Sequence, residues 1–335
     1  MEKSLAALAA YQISNFFQAN GPTTQAECDD RAQSITGQPA TPTRLQGGSS
    51  YTVLAGNQVV QFRTPSASLD LEFLGHVHTA YAGVMPLPSD EGRLGELCVY
   101  SMPDVGGVSM YLARDSLYAD GCSLLRRTLA DFARFFASAW HKTPATLPQP
   151  DRAALQSKYL TQLQQLKAGF PPRFGSVLQQ LIPRIKDITA NNWRLVPNHG
   201  DLLENNIHVD ALTGALTGVC DWADTQTSPF GMSVGEIENL LGIPKAANKQ
   251  TGRNEHTYHA NHGELRALFY DELYRAIGGA SPYDRERIED ARLLGLFFMY
   301  GWRFDGDGNQ LPAGEDDASL HHLDAVLRAT CDGFH

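Results

Sequence analysis

Three polar residues in one part of the chain have the types and the spacing that phosphoryl transfer requires. Asp201 is followed by Asn206, and Asp221 comes after a further apolar run. One carboxylate could orient an attacking hydroxyl group and accept its proton, while an amide and a second carboxylate could hold the Mg²⁺ that bridges the phosphates of ATP. We therefore predict that Asp201 is the catalytic base and that Asn206 and Asp221 bind magnesium.

Two short strands must bring these residues together. Residues 207–210 and 216–220 are predicted to form the strands, with a turn between them. This hairpin would place Asp221 opposite Asn206. His199 is interpreted as a structural residue that hydrogen-bonds to the backbone of the metal-binding loop. Taken alone, each acid or amide could also be an ordinary turn residue, because Asp and Asn are common in turns.

These residues carry a family resemblance. The chain resembles the aminoglycoside phosphotransferase and choline kinase family, a small-molecule branch of the protein-kinase-like fold, in His199-Gly200-Asp201-Leu202, in Asn206 and in Asp221-Trp222. It departs from the family at Leu203, where many members carry His, and at 227–231, where the second motif often ends in a Gly-Asp-Pro turn. Neither departure removes a group that touches metal or phosphate in the family.

The resemblance covers roughly residues 40–310 and implies an α+β, bilobal, protein-kinase-like fold. A small β-rich N-lobe would occupy residues 1–103, and a larger, mostly helical C-lobe would occupy residues 104–335. A hinge at about 100–104 would join them, with ATP (or GTP) and Mg²⁺ in the cleft. The implied reaction is transfer of the γ-phosphate to a hydroxyl group of a small molecule.

Small residues near the start of the N-lobe could approach the phosphates. A strand from residue 44 and a strand over 51–54 are predicted to enclose a tight turn, and a second hairpin leads into 59–63. Backbone N–H groups that side chains do not screen can contact triphosphate oxygens, although a plain hairpin would look the same. The turn residues are Gly47, Gly48, Ser49 and Ser50.

Arg63 ends the third predicted strand. The resemblance implies a cation there that pairs with the α and β phosphates and is held by an acid from the next helix. In the predicted helix 68–77, Glu72 is the candidate partner and Asp70 the alternative. Both acids could instead serve only the helix dipole.

The strand over 96–103 is predicted to become the hinge. Its backbone would pair with the edge of the adenine base at Tyr100, Ser101 and Met102. Residues 104–108, rich in Gly, would form a flexible linker into the C-lobe. The residue types give little evidence for or against this hinge, because backbone groups would make the contact with the base.

Composition excludes several classes of protein. With 335 residues and 42% hydrophobic content, the chain can bury a large core, and no apolar run approaches the roughly 20 residues of a membrane helix. The opening residues are predicted to form an amphipathic helix and not a signal peptide. The five scattered cysteines contain no CxxC pair, which indicates neither a disulfide framework nor a zinc site, so a cytoplasmic location is expected.

The net charge of −10 is concentrated after residue 200, where 22 acidic residues outnumber 10 basic ones. Because a nucleic-acid binder normally shows the opposite sign, nucleic acid and membranes are not expected as partners. The acidity could serve magnesium and an amine-bearing or cationic acceptor, or it could be an ordinary soluble surface. The oligomeric state stays open.

The remainder of the chain is predicted to be largely helical. A loop-rich stretch over 21–43 follows the first helix, and helices are expected at 122–141, 151–168, 174–190, 234–241, 261–277, 282–301 and 318–329. In the family such C-terminal helices form the acceptor pocket. Candidate contacts, each of which could equally be a surface acid or a core aromatic, are Asp224, Glu236, Glu238, Trp302, Asp305 and Asp307.

Two alternatives to a small-molecule kinase remain open. A nucleotide-binding pseudokinase with a regulatory or binding role would keep the fold and lose turnover, and the Arg in place of Lys at position 63 is its best support. A metal-dependent hydrolase could use the same acids, but it would not need the Gly-rich hairpin and the hinge.

Overall fold

The structure, a computed structural model, describes residues 2–245, 255–331 and 334. Its strands are β1 (Ala40–Pro42), β2 (Ser50–Ala55), β3 (Gln58–Arg63), β4 (Ser89–Leu94), β5 (Leu97–Pro103), β6 (Val108–Ser109), β7 (Leu195–Asn198), β8 (Ile207–Val209), β9 (Leu216–Val219), β10 (Gln226–Pro229), β11 (Gly242–Lys245), β12 (Glu255–Tyr258), β13 (Trp302–Phe304) and β14 (Gln310–Pro312). Its α-helices are α1 (Glu2–Ala19), α2 (Gln25–Thr36), α3 (Leu71–Ala80), α4 (Met110–Leu117), α5 (Ala119–Lys142), α6 (Arg152–Gly169), α7 (Gly175–Leu181), α8 (Ile185–Ile188), α9 (Ile237–Leu240), α10 (His262–Ala276), α11 (Pro282–Tyr300) and α12 (Ala318–Thr330). Short 3₁₀ turns lie at Pro65–Ala67, Pro172–Phe174, Ile182–Arg184 and Val234–Glu236.

The N-terminal sheet is antiparallel, with the strand order β1-β2-β3-β5-β4. Because side chains alternate along a strand, every second residue faces outwards, towards α1 and α2. Tyr51 and Phe62 are among the outward residues, and they form a small core with Phe16 of α1 and Cys28 of α2. The intervening residues face the opposite side, which is the wall of a cleft.

Helix α2 was not expected, since 21–43 is predicted to be loop-rich, and that prediction is wrong over Gln25–Thr36. A capping box starts the helix: the Thr24 side chain accepts from the Glu27 N–H, and the Glu27 carboxylate accepts from the Thr24 N–H. The Thr-x-x-Glu pattern is a signature that sequence inspection could have used.

The Gly-rich segment is a longer loop than predicted. No strand begins at residue 44, because β1 ends at Pro42 and residues 43–49 form the loop. The Gln46 side chain takes the place of a strand neighbour: its amide donates to the Thr52 carbonyl at 2.8 Å and accepts from the Thr52 N–H at 3.1 Å. The loop is therefore anchored to β2 by a side chain.

The segment after β5 is more ordered than a flexible linker. Val108–Ser109 forms β6, which pairs with β8 of the catalytic hairpin, and α4 follows at once. A carbon atom added to Gly107 would collide with the Val209 carbonyl, so this approach requires glycine. The linker is thus tied to the catalytic hairpin.

The larger core surrounds α5, which packs against α10. Phe132 and Phe136 of α5 contact Phe269 of α10, and Phe135 lies against Trp222. Predicted helices appear at 151–168, 261–277, 282–301 and 318–329 with small shifts, and the hairpin at 207–220 is confirmed. The described part of the chain contains no helix long and apolar enough to cross a membrane.

Several predicted elements differ from the structure. The helix expected at 174–190 is divided into α7 and α8 by a 3₁₀ turn that contains Pro183, because proline removes a backbone donor. Residues 89–95, predicted as a loop, include β4, an exposed edge strand with few apolar residues. Two hairpins, β11–β12 and β13–β14, interrupt the C-terminal part, which is predicted to be helical.

The loop after β10 is held closely by α11. The Met232 carbonyl lies over Gly295, and a methyl group at that position would overlap it. In the next turn, the Glu236 carboxylate is buried and accepts from Asn239 at 2.6 Å and from the Tyr300 hydroxyl at 3.0 Å. Burial raises the pKa of Glu236 to about 7, because removal from water disfavours the charged form.

We expect Gly295→Ala to lower the free energy of unfolding by about 2 kcal/mol, since the added methyl group must displace the Met232 backbone. Gly75→Ala is the matched control, because Gly75 lies within α3 and has open space around it. That change should stabilise the protein by about 0.5–1 kcal/mol. Urea denaturation measures both, and equal effects of the two changes would contradict the predicted overlap.

We expect Glu236 to make stability depend on pH. Because its pKa is higher in the folded protein than the ordinary value of 4.5, its contribution is most favourable below pH 4.5 and declines by about 3 kcal/mol up to pH 7. Glu236→Gln keeps an oxygen for Tyr300 and Asn239 and should remove this decline in urea denaturation at a series of pH values. Glu286→Gln removes the same charge at an exposed site of α11 and should keep the wild-type profile.

Candidate active site

A cleft of about 590 Å³ lies between the inner face of the N-terminal sheet and the loops that follow β7 and β9. The residues predicted for catalysis and metal binding share this cleft with the predicted phosphate-binding cation. Apolar side chains of the sheet and of the linker complete its walls. The lining residues used below are Leu45, Gly47, Ser50, Arg63, Met102, Pro103, Asp104, Val105, Asp201, Asn206, Cys220 and Asp221.

The catalytic loop is shaped by a close backbone approach and by an amide. A side chain at Gly200 would have its first carbon 2.6 Å from the Asp224 carbonyl, so only glycine fits there. The Asn206 amide nitrogen donates to the Asp201 carboxylate at 3.0 Å and to the Asp201 carbonyl at 2.8 Å. These bonds fix the carboxylate and leave the Asn206 amide oxygen for another partner.

The His199 imidazole joins this loop to the metal-binding loop. Its Nδ1 accepts from the Asp201 N–H at 3.0 Å, and its Nε2 therefore carries a hydrogen and donates to the Cys220 carbonyl at 2.8 Å. Burial lowers the pKa of His199, which favours the neutral ring that this pattern needs. The structural interpretation of His199 is confirmed.

Asp221 is presented by an unusual backbone conformation. Its φ is +60°, in the left-handed region that residues other than glycine rarely adopt. The preceding Cys220 N–H donates to the Asn206 carbonyl at 2.8 Å, which brings the two loops together. The Asp221 side chain is 52% exposed, and its carboxylate lies 3.9 Å from the Arg63 guanidinium. The hairpin thus brings Asn206 and Asp221 to one side of the cleft.

The Asp201 carboxyl group has a raised pKa. Partial burial is the main cause, and the negative charge of Asp221 adds to it, while the hydrogen bond from Asn206 acts in the opposite direction. A carboxylate that holds a proton more readily is better suited to accept one from a hydroxyl group. The geometry therefore favours Asp201 as a proton acceptor.

The donor set at the junction of the loops fits magnesium. Mg²⁺ prefers oxygen ligands and usually binds through one or two protein groups together with substrate phosphates. Asn206 offers an amide oxygen and Asp221 a carboxylate. Within the described ranges there is no cluster of three or more His, Cys, Asp or Glu that could hold a metal ion alone. Phosphate oxygens would have to complete this site.

Of the predicted phosphate-binding residues, Gly47, Ser50 and Arg63 line the cleft, whereas Gly48 and Ser49 do not. Arg63 is buried, and its Nε donates to the Ala67 carbonyl at 2.7 Å. Its Nη1 donates to the Gln61 side chain at 3.3 Å and lies 3.9 Å from the carboxylate of Asp221.

Neither acid at the start of α3 lies beside Arg63, where one of them was predicted. Glu72 is exposed in the first turn and makes no ion pair with Arg63 in the part of the chain that is described. Asp70 caps the helix by accepting from the Phe73 N–H at 3.0 Å. The acid beside Arg63 is Asp221, which sequence inspection assigned to the metal alone.

At the predicted hinge, only Met102 of the three candidates lines the cleft. The Tyr100 hydroxyl accepts from the Leu69 N–H at 3.1 Å, and the Ser101 hydroxyl donates to Glu91 at 2.6 Å. Their side chains therefore bond to the segment before α3 and to β4. Pro103 and Asp104, just beyond them, also line the cleft.

The acceptor candidates divide into two groups. Asp224 is exposed beside Gly200, and Asp201 is among the charges that raise the pKa of Glu236, so both acids lie near the base. Asp305 closes the β13–β14 turn by accepting from Asp307 and Asn309, and Trp302 packs against the core. None of the six lines the cleft, and Glu238 is buried in an ion pair with Arg266.

Sequence inspection missed a buried polar cluster beside the catalytic loop. Glu204, three residues after Asp201, is paired with Arg114 of α4 and accepts from the Tyr118 hydroxyl at 2.6 Å. This cluster attaches α4 to the loop. The available signal was a charged residue within a loop whose neighbours Leu202 and Ile207 are apolar.

Two solved structures resemble the whole fold. A candidate aminoglycoside phosphotransferase from Ralstonia eutropha JMP134 matches 96% of this chain and 94% of its own, with 16% identity and a TM-score of 0.51. A choline/ethanolamine kinase family protein from Mesorhizobium loti matches 82% of this chain and 84% of its own, with 17% identity and a TM-score of 0.50. The predicted α+β, bilobal, protein-kinase-like fold is thereby confirmed.

A family model gives the class of enzyme. The model of the phosphotransferase enzyme family matches residues 47–241, which is more than half of the chain. No curated protein sequence matches the chain significantly. The matched segment includes residues 47–50, Arg63 and the motifs around Asp201 and Asp221. The predicted resemblance and the prediction of a small-molecule phosphotransferase are confirmed. This chain belongs to the phosphotransferase enzyme family.

Proposed function

We propose that the protein transfers the γ-phosphate of ATP to a hydroxyl group of a small molecule. One observation carries this proposal: the Asp201 carboxylate, the Asn206 amide, the Asp221 carboxylate and the Arg63 guanidinium meet in one cleft. Together they could supply the proton acceptor, the two metal ligands and the cation that phosphoryl transfer to an alcohol uses. The N-lobe, residues 1–103, would hold the nucleotide, and residues 104–335 would hold the acceptor.

Catalysis would rest on position and charge more than on strong base chemistry. Asp201 would orient the acceptor hydroxyl and take its proton late, when the phosphoryl group has largely moved. Asn206 and Asp221 would hold Mg²⁺, which supplies neutralisation of phosphate charge when it is bound. Arg63, buried at the end of β3, would add a fixed positive charge beside the α and β phosphates.

The acceptor is proposed to be amine-bearing or cationic. Exposed Asp224 lies near Asp201 and could attract such a group, and the chain after residue 200 has a large excess of acids. Glu236 also lies near Asp201, but it is buried and already accepts hydrogen bonds from two side chains, so it supports a contact less well. Trp302 and Asp305 support a contact less well, because Asp305 already closes a hairpin turn. A cytoplasmic location is proposed as well, since the described cysteines are free thiols.

We expect Asp201→Asn to lower turnover at least about a thousandfold, because the proton acceptor is lost while the shape is kept. Asp221→Asn should remove magnesium-dependent nucleotide binding. The measurement is ATP turnover with a panel of hydroxyl compounds, together with calorimetric binding of magnesium ADP. Asp271→Asn, an exposed change in α10, is the control and should behave as wild type. Unchanged turnover in either active-site variant would refute the assignment.

We expect Arg63→Met to weaken binding of magnesium ADP about ten- to a hundredfold, because a charged hydrogen bond to phosphate is lost. Arg63→Lys keeps the charge and should bind within about tenfold of wild type. Arg93→Met removes a cation from the exposed strand β4 and serves as the matched control. Equal binding by wild type and Arg63→Met would show that Arg63 does not contact phosphate.

A further inference from the structure

Strand β5 borders the cleft. Its hydrogen bonds to the neighbouring strands show which of its backbone groups remain free to face a ligand. Along an antiparallel strand, the backbone groups of successive residues point alternately to the two sides. The Asp104 N–H donates to the Asn57 carbonyl, in line with the β3–β5 register, at 2.9 Å. Asp104, Met102 and Tyr100 therefore direct their backbone groups towards β3, and Ser101 and Pro103 direct theirs to the other side.

On that other side of β5, only Pro103 is left uncovered by the part of the chain that the structure describes. Ser101 pairs with Ser89, which is the first residue of β4, so the neighbouring strand begins there and does not extend as far as Pro103. Pro103 is exposed and lines the cleft beside Met102. Among the described residues, no partner in β4 pairs with Pro103, and no backbone hydrogen bond outside the strand ladders reaches its carbonyl. A base edge in the cleft would thus meet β5 at Pro103.

Proline changes what this edge can recognise. Because Pro103 has no N–H, its free edge offers a carbonyl acceptor and no donor. Adenine presents the acceptor N1 beside a 6-amino donor, whereas 6-oxopurines present an N1–H donor beside an oxygen acceptor. An N–H at position 103 would pair with N1 of adenine and would oppose the N1–H of a 6-oxopurine, donor against donor.

We propose that Pro103 relaxes the choice of nucleotide, so that 6-aminopurine and 6-oxopurine nucleotides bind with comparable affinity. In either case one donor of the base, the 6-amino group or N1–H, can reach the Pro103 carbonyl. The inference rests on the proposed function, because it takes the cleft as the nucleotide site. It names Pro103 as the residue that sets base selectivity.

The test uses three nucleotides on the protein of 335 residues, each with magnesium and measured by calorimetry. ADP has N1, 1-deaza-ADP has a CH group in its place, and IDP has N1–H and a 6-oxo group. Wild type should bind all three within about threefold. Pro103→Ala restores an N–H and should bind ADP about fivefold more tightly than the other two. Pro148→Ala, an exposed change between α5 and α6, should keep the wild-type ratios.

Two results would overturn the inference and leave the proposed function intact. One is a wild-type preference of tenfold or more for ADP over 1-deaza-ADP, which would show that another N–H, such as that of Val105, contacts N1. The other is a Pro103→Ala variant with the wild-type ratios, which would show that the base does not contact this residue. Failure of all three nucleotides to bind wild type would instead overturn the proposed function, and this inference with it.

Discussion

The buried imidazole of His199 is the link on which the geometry of the cleft depends. It bonds to the Asp201 N–H through one nitrogen and to the Cys220 carbonyl through the other, so one ring sets the spacing of the two loops that carry Asp201 and Asp221. Protonation of Nδ1 would remove the acceptor for Asp201. Burial holds the ring neutral by lowering its pKa, and the tight packing of Trp222 against it keeps it in place.

Helix α3 follows a strand of the N-terminal sheet in the chain but packs in the larger core. It precedes β4 and β5 in sequence, yet its apolar residues Leu74 and Val77 belong to the larger core around α5 and not to the small core of the sheet. The Tyr81 hydroxyl at its end donates to the Pro197 carbonyl at 2.7 Å, directly before the catalytic loop. Helix α3 thus lies before the predicted boundary at residue 103 in the chain, but it packs with the core of the residues after that boundary. It therefore helps to position the sheet that carries Arg63 against the loop of Asp201.

Sequence analysis was strongest where chemistry restricts the residue type. The spacing of Asp201, Asn206 and Asp221, with a hairpin between the last two, indicated the fold and the residues that now meet in one cleft. Strands with alternating apolar residues, such as β3, were also predictable. Their ends are where Arg63 and Pro103 lie.

The remaining errors have physical causes. The partner of Arg63 could not be predicted, because Glu72 and Asp221 are equally acidic in sequence and only tertiary packing distinguishes them. The edge strand β4 has little apolar pattern, since it is largely exposed. The contact between Glu204 and Arg114 joins residues that are far apart in sequence, and no local pattern predicts it. The role of Pro103 likewise depends on which strand ends first at an edge.

The two N-terminal helices have a practical consequence. The segment matched by the family model starts at residue 47, so α1 and α2 lie before it, but they cover the outer face of the sheet. A protein that began at residue 47 would expose Tyr51, Val53 and Phe62 to water and would leave the Tyr51 hydroxyl without Asp29. Such an exposed apolar surface would favour aggregation of the shortened protein on expression, although the cleft residues from Gly47 onwards would still be present.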